Sequence, residues 1–217
     1  MTDTLIYDPK HCQGFEQEWR AHHNCTELWV CQGIFNEALL PESMYAYRAS
    51  VRIMHLGARM LCAADFALSD LLHAKSFEYH AKSGKDKPGR DWLYLDQDSL
   101  LVGEALQVLY EKDALALRLR DPAFGLDLRL DRAEPPYWCG GGEALSLGDR
   151  GKTLFAGVLP HMPAVGRLYF ADYSKRVQGR YAFERLWGRF SLLQAAQNWE
   201  RFSLFLKNGD EMVICQY

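Results

Sequence analysis

The stretch from residue 115 to residue 131 constrains this chain more than any other. It reads Leu-Ala-Leu-Arg-Leu-Arg, then a turn Asp121-Pro-Ala-Phe-Gly125, then Leu126-Asp-Leu-Arg-Leu-Asp131. Leu115, Leu117 and Leu119 recur with a period of two, as do Leu126, Leu128 and Leu130 after the turn. Arg118, Arg120, Asp127, Arg129 and Asp131 fill the alternate positions. Successive side chains of a strand point to opposite faces, so the pattern gives one apolar and one wet face; a helix would scatter both sets around its axis. Two such runs joined by a Pro/Gly turn predict an antiparallel hairpin, packed on one side and carrying a solvated ladder of charges on the other.

The same signal repeats along the chain. Residues 27–35, 44–54, 58–68, 76–81, 100–111, 153–159, 166–172, 176–184, 200–206 and 211–217 each hold apolar or aromatic residues between turn signals. Lys207-Asn-Gly-Asp210 between the last two predicts a type I′ turn, because Asn-Gly supplies its positive φ angles. Many short strands at close, even spacing indicate an all-β barrel or sandwich. Helical patterning is confined to a short candidate at 190–198, and 83–90 and 140–142 read as loops. No repeat or linker divides the chain, so residues 1–217 are expected to form a single domain.

With 217 residues, 48% hydrophobic and 24% charged, the chain has enough apolar surface to bury a core, which excludes a disordered polymer. A formal charge of −3 leaves no electrostatic footprint for nucleic acid. No run reaches the roughly 18 apolar residues of a membrane-spanning helix. The first residues lack a basic segment followed by an apolar one, so a cytoplasmic location is expected. Cys12, Cys25, Cys31, Cys62, Cys139 and Cys215 are scattered without a CxxC pair and are read as reduced, mostly buried thiols, and the Asn24-Cys25-Thr26 sequon as unused. His22-His-Asn-Cys25 offers metal-type ligands but no second pair at zinc spacing, so no metal is expected. GxSxG, P-loop and GxGxxG signatures are absent.

Two patterns remain. One is Glu27-Leu-Trp-Val-Cys-Gln-Gly33, with an acid two residues before a Trp in a strand that runs to glycine. The other is Val177-Gln-Gly-Arg-Tyr-Ala-Phe-Glu-Arg-Leu-Trp-Gly188. By alternation Tyr181, Phe183, Arg185 and Trp187 share one face, and Ala182, Glu184 and Leu186 the other. An acid between Ala182 and Leu186 lies either at the wet end of the strand, or paired with a distant Arg such as Arg48 or Arg52, or turned into a cavity. In a cavity, desolvation would raise its pKa and keep it a proton donor.

These segments resemble the AttH/carotenoid 1,2-hydratase (CrtC-like) family. Glu27-x-Trp29…Gly33 is similar to its Glu-x-Trp-Tyr…Gly strand, and Ala64-Asp-Phe-Ala-Leu-Ser-Asp70 to its His-Phe-Ala-Leu-Thr-Asp strand. Val177-x-Gly179…Glu184…Trp187-Gly188 is similar to its Val-x-Gly-x-x-Trp-x-Asp-x-x-Trp-Gly signature. The segment from Trp199 to Met212 resembles the Trp-x-Trp-Phe-x-Leu-x-Leu-x-x-Gly-x-Glu-Met stretch that follows. Order and spacing agree over residues 22–217. Ala182 stands where the family has Trp, Glu184 where it has Asp, Asp65 where it has His, and Arg201 where it has a second Trp.

The resemblance implies an antiparallel lipocalin-like β-barrel with little helix, whose mouth holds a hydrophobic small molecule, and no cofactor. It also implies a second lipocalin-like domain that this sequence lacks, leaving a pocket either incomplete or rebuilt in a homodimer. The family includes carotenoid hydratases and natural-product cyclases, some of them Diels–Alder catalysts. The expected activity is therefore hydration or cyclisation of an apolar isoprenoid or polyketide polyene, folded by the cavity into a reactive conformer. Glu184 is the expected general acid or hydrogen-bond donor. Trp29, Tyr47, Tyr181 and Trp187 are the expected pocket walls, and the motif positions of Glu27 and Asp65 complete the substrate-binding set. A non-catalytic carrier of a hydrophobic ligand is the alternative, and an orphan structural domain the third reading.

Overall fold

A computed structural model of the chain describes residues 18, 22, 25–56, 59–82, 93–95, 99–146, 153–190 and 200–216. The first strands run β1 (Thr26–Glu37), β2 (Leu40–Leu56), β3 (Arg59–Asp70), β4 (Lys75–Lys82), β5 (Leu93–Leu95), β6 (Ser99–Val102) and β7 (Leu106–Glu111). Then come β8 (Ala114–Arg120), β9 (Phe124–Asp131), β10 (Tyr137–Trp138), a 3-10 turn (Cys139–Gly142) and β11 (Leu145–Ser146). The chain continues through β12 (Thr153–Phe170), β13 (Tyr173–Arg189), β14 (Glu200–Phe205) and β15 (Glu211–Gln216).

One antiparallel sheet takes all but the last two strands, in the order β4-β3-β2-β1-β13-β12-β9-β8-β7-β6-β5, with β10 and β11 also on β12. The sheet is strongly curled. Phe77 on the β4 edge meets Phe170 of β12 at 5.8 Å and Phe124 of β9 at 5.7 Å, ring centre to ring centre, although these strands lie far along the sheet. The expected all-β, lipocalin-like barrel architecture is what forms.

The alternation at 115–131 sets the core. Leu115, Leu117, Leu119, Leu126, Leu128 and Leu130 are buried on the concave face. On the outer face Arg120 pairs with Asp127 at 2.8 Å and Arg129 with Glu111 at 2.7 Å, which is the expected charge ladder. The turn is closed by Asp121, whose Oδ1 accepts from the Ala123 N–H at 2.8 Å.

Several local expectations change. The expected strands at 153–159 and 166–172 merge into one long strand, β12, which ends at Phe170 with 171–172 in the turn, because a bulge between Leu159 and Met162 absorbs the Pro-His pair without ending the ladder. Residues 100–111 are instead two strands, divided at Gly103, whose φ is +54°. In the last hairpin only Gly209 takes positive φ (+98°), so Asn208-Gly209 does not form the expected type I′ turn. The Gly209 N–H donates to Leu206 O (3.1 Å) and the Leu206 N–H to Asp210 O (2.9 Å), the arrangement of a type I turn followed by a glycine bulge. Residues 140–142 form the 3-10 turn, with all three glycines at positive φ. The polar loop at 83–90 and, beyond Phe190, the helical candidate at 190–198 lie outside the described residues. Among the described residues, no helix is long and apolar enough to cross a membrane.

Leu128, 3% exposed, is expected to cost about 2–5 kcal/mol on truncation to Ala, through lost burial and a residual cavity. Arg129→Ala on the wet face of the same strand should leave denaturant stability unchanged within error. Equal effects of the two substitutions in urea titrations would show that the register is misassigned.

Candidate functional site

Strands β1 and β13 are adjacent, and their register brings the two sequence patterns together. Glu27 faces Trp187, Trp29 faces Arg185, Cys31 faces Phe183 and Gly33 faces Tyr181. On the other side of β1, Gly33 faces Tyr47 of β2. All of these occupy the concave face, since they join one core cluster or the polar group at its end.

Glu27, fully buried, is the centre of that polar group. Its Oε2 accepts from the Arg185 guanidinium at 2.6 Å and from the Trp29 indole N–H at 3.2 Å. Its Oε1 accepts from the backbone N–H of His22 at 2.5 Å. His22 Nε2 lies 2.9 Å from Glu18 Oε2, and its Nδ1 3.8 Å from Glu27 Oε2. Glu18, His22 and Arg185 are 2%, 5% and 2% exposed, so four ionisable side chains share one buried site.

The aromatic rings hold this group in place. The Arg185 guanidinium carbon lies 4.0 Å from the centre of the Trp29 ring and 5.3 Å from that of Trp187, so the cation contacts two indole systems. His22 stacks on Trp187 at 4.9 Å and 10°. Phe155 also stacks on Trp187 (5.7 Å), and Trp138 meets it edge-on (6.0 Å). Trp138 fits because Gly157 has no side chain: a Cβ there would sit 2.2 Å from the indole ring.

Burial is the largest influence on the Glu27 carboxyl and would push its pKa up. Hydrogen bonding to His22 and the positive charge of Arg185 outweigh it, and the carboxyl is held below its ordinary range. The site therefore keeps an anion inside the barrel, balanced by a cation on the next strand.

A second polar level lies four residues along β1 and β13, about 13 Å away at strand rise. Tyr47 and Tyr181 stack there with centroids 5.9 Å apart, both beside Gly33. A Cβ on Gly33 would stand 2.2 Å from the Tyr181 ring, so the glycine is what lets that ring lie against β1. Neither phenol oxygen has a hydrogen-bond partner among the described residues. Burial holds both hydroxyls well above their ordinary pKa, helped for Tyr181 by Tyr47 and for both by the nearby Cys31 thiol. Both stay neutral donors.

Five of the seven residues singled out in the sequence thus share the interior: Glu27, Trp29, Tyr47, Tyr181 and Trp187. Two do not. Glu184 lies on the opposite face of β13, near the small cluster of Leu28, Val30, Leu154, Leu186 and Phe190, and does not project among the interior aromatics. It is 1% exposed, and its Oε1 accepts from Gln32 Nε2 at 2.8 Å. Asp65 also lies on the convex face, where its carboxylate is hydrogen-bonded by Arg52, His80 and Ser50. Sequence reasoning passed over Arg185 as a functional residue, although an arginine alternating with Tyr181, Phe183 and Trp187 was a legible signal. Glu18 and His22 precede the first strand and carry no periodic signal.

The fold and this buried polar interior define a class, a curled antiparallel barrel of lipocalin type with ionisable groups inside. At the level of sequence, no family model and no curated protein matches the chain. Among solved structures it is similar to a candidate AttH from Nitrosomonas europaea, with a TM-score of 0.83 and 18% identity, covering 97% of this chain and 66% of that one. It is also similar to kievitone hydratase from Nectria haematococca, with a TM-score of 0.63 and 13% identity over 98% of this chain and 66% of that one. The chain therefore spans about two thirds of the length of these structures. Its fold is that of the AttH/CrtC-like, lipocalin-like proteins.

Because Glu27 is ionised in the fold at a depressed pKa, its contribution is present above its unfolded pKa and is lost as pH falls through the folded value. Glu27→Gln, which leaves Arg185 buried without its counter-charge, should cost about 3–5 kcal/mol near pH 7. That gap should narrow on acidification below about pH 4.5, where the carboxyl of the unfolded chain begins to take up protons while the folded one is still ionised, and it should close as the pH falls through the lower folded value. A gap that stayed constant from pH 7 to pH 3 in thermal melts would show that the ion pair does not carry the effect.

Proposed function

We propose that this chain binds an apolar small molecule of polyene type inside the barrel and hydrates or cyclises it. The observation that supports this reading is the buried group of Glu18, His22, Glu27 and Arg185 at one end of an otherwise apolar concave face. Burying four ionisable groups brings little net stability, since desolvation offsets most of the Coulomb attraction. Such groups concentrate where chemistry needs them.

Hydration of an alkene forms a C–H bond, leaves a carbocation, and ends when water attacks it and loses a proton. His22, between Glu18 and Glu27, is the group placed to deliver and recover that proton. The ionised Glu27 stabilises positive charge as it develops on carbon. Cyclisation draws on the same field, with the apolar walls holding the chain in a folded conformer. Glu184 enters this reading as a positioning residue, since its bond to Gln32 ties β13 to β1 behind the site.

The alternative is a carrier. It is favoured by the saturation of Glu27, both of whose carboxylate oxygens already accept hydrogen bonds within the protein. Incubation with geraniol, farnesol and squalene in 18O-water, followed by mass spectrometry, separates the two. An enzyme yields a hydrated or isomerised product, and His22→Gln lowers turnover by about 10²–10⁴-fold while ligand affinity, read by tryptophan quenching, changes only a few-fold. Binding without any product establishes the carrier. Product formation that survives both His22→Gln and Glu27→Gln would sink the assignment of the site.

A further inference from the structure

The tyrosine level has no role in the chemistry above, and it points to the ligand. Tyr47 and Tyr181 are 3% and 0% exposed, and their hydroxyls are buried without a partner among the described residues. An unpaired buried hydroxyl is a net loss to the fold, and phenylalanine would fill nearly the same space without it. The two tyrosines arrive from different strands, β2 and β13, and converge on one residue, Gly33, which has no side chain to block the approach.

The ladder is also interrupted at this point. Met162 is the partner of Tyr181 on β12, and the bulge at Pro160 and His161 immediately precedes it. His161 is held at φ +50°, a conformation uncommon outside glycine, and its N–H is tied at 3.1 Å to Glu211 Oε1. Bulges of this kind re-aim neighbouring side chains and are frequent beside binding sites.

We propose that the Tyr47 and Tyr181 hydroxyls form a subsite for a neutral oxygen acceptor, so that the ligand is an apolar skeleton bearing a carbonyl or hydroxyl oxygen, not a plain hydrocarbon. Both groups remain protonated donors in this apolar setting, as a neutral acceptor requires. An anion is disfavoured, because the concave-face cation of the polar group, Arg185, is about 13 Å along the strand and already committed to Glu27. The oxygen-bearing end of the ligand meets the Tyr47 and Tyr181 hydroxyls, and its apolar body lies against the apolar concave face. This subsite rests on the reading of the barrel interior as a ligand chamber, and it does not depend on whether the bound molecule is then converted.

The test uses the intact chain and two compounds of one skeleton, farnesol and farnesene, with binding followed by tryptophan fluorescence. The wild type should bind farnesol about tenfold more tightly than farnesene. Tyr47→Phe and Tyr181→Phe should each weaken farnesol about tenfold, toward the hydrocarbon, and leave farnesene within about twofold. Without ligand, both variants should melt at or above the wild-type temperature, since each removes an unpaired buried hydroxyl. Equal affinity for the two compounds, or a preference for farnesol that survives both substitutions, overturns the subsite and leaves the proposed function standing. A clear drop in melting temperature of the free variants overturns it as well, because the hydroxyls would then serve the fold. Failure of both compounds to bind overturns the subsite and the ligand chamber together.

Discussion

From Tyr181 to Gly188 strand β13 has no wet face. It runs between β1 and β12, and both of its sides are buried, so every side chain in this stretch must be accommodated by packing or pairing. The convex side does so with Ala182, Leu186 and the Glu184–Gln32 bond. The concave side carries an arginine among aromatics, and that residue dictates what surrounds it. A buried guanidinium needs a counter-charge, and Glu27 supplies one diagonally across the β1–β13 pair, within reach of a long side chain. A slip of β13 by one residue against β1 would carry Arg185 to the convex side while Glu27 stayed on the concave one, so the ion pair specifies register as well as charge balance.

Fixing that register orders the rest of the interior. With Trp29 opposite Arg185 and Trp187 opposite Glu27, the two indoles bracket the cation, and His22 and Phe155 both stack on Trp187. The same pairing sets Gly33 beside Tyr181, and the β1–β2 register then brings Tyr47 to the same place. Charge at one level and neutral donors at the other therefore come from a single alignment of three strands.

The strand architecture was readable because antiparallel alternation is a local property. The leucines of 115–131 reported their own burial, and the arginines and aspartates between them reported the wet face. The interior aromatics were also legible, since Trp29, Tyr47, Tyr181 and Trp187 sit at positions that alternate inward. Glu184 was harder to place. Alternation assigned it correctly to the side opposite Tyr181 and Trp187, but which side of a strand faces a barrel interior depends on how the sheet curls, a non-local fact. Asp65 shows the same limit, since its motif position says nothing about the face it occupies. Glu18 and His22 reach the site from outside any strand, and their approach is set by tertiary packing alone. The Asn-Gly turn failed for a finer reason: the dipeptide permits two positive φ angles, but this hairpin needs only one.

The separation between the two polar levels has a physical purpose of its own. A phenol hydroxyl within reach of Glu27 would be captured by the carboxylate, because hydrogen bonds to an ionised acceptor are about twice as strong as neutral ones. Cys31 and Phe183, with Ala49 opposite Cys31 on β2, lie between the levels and are apolar or neutral. They keep the hydroxyls of Tyr47 and Tyr181 out of the ion pair's reach, so these donors keep their hydrogen-bonding capacity. The carboxylate of Glu27 is bonded within the protein, whereas the two hydroxyls have no hydrogen-bond partner among the described residues. A barrel built only for stability would have paired the hydroxyls or replaced them with phenylalanine, so their isolation is a feature of this interior that folding energetics alone do not explain.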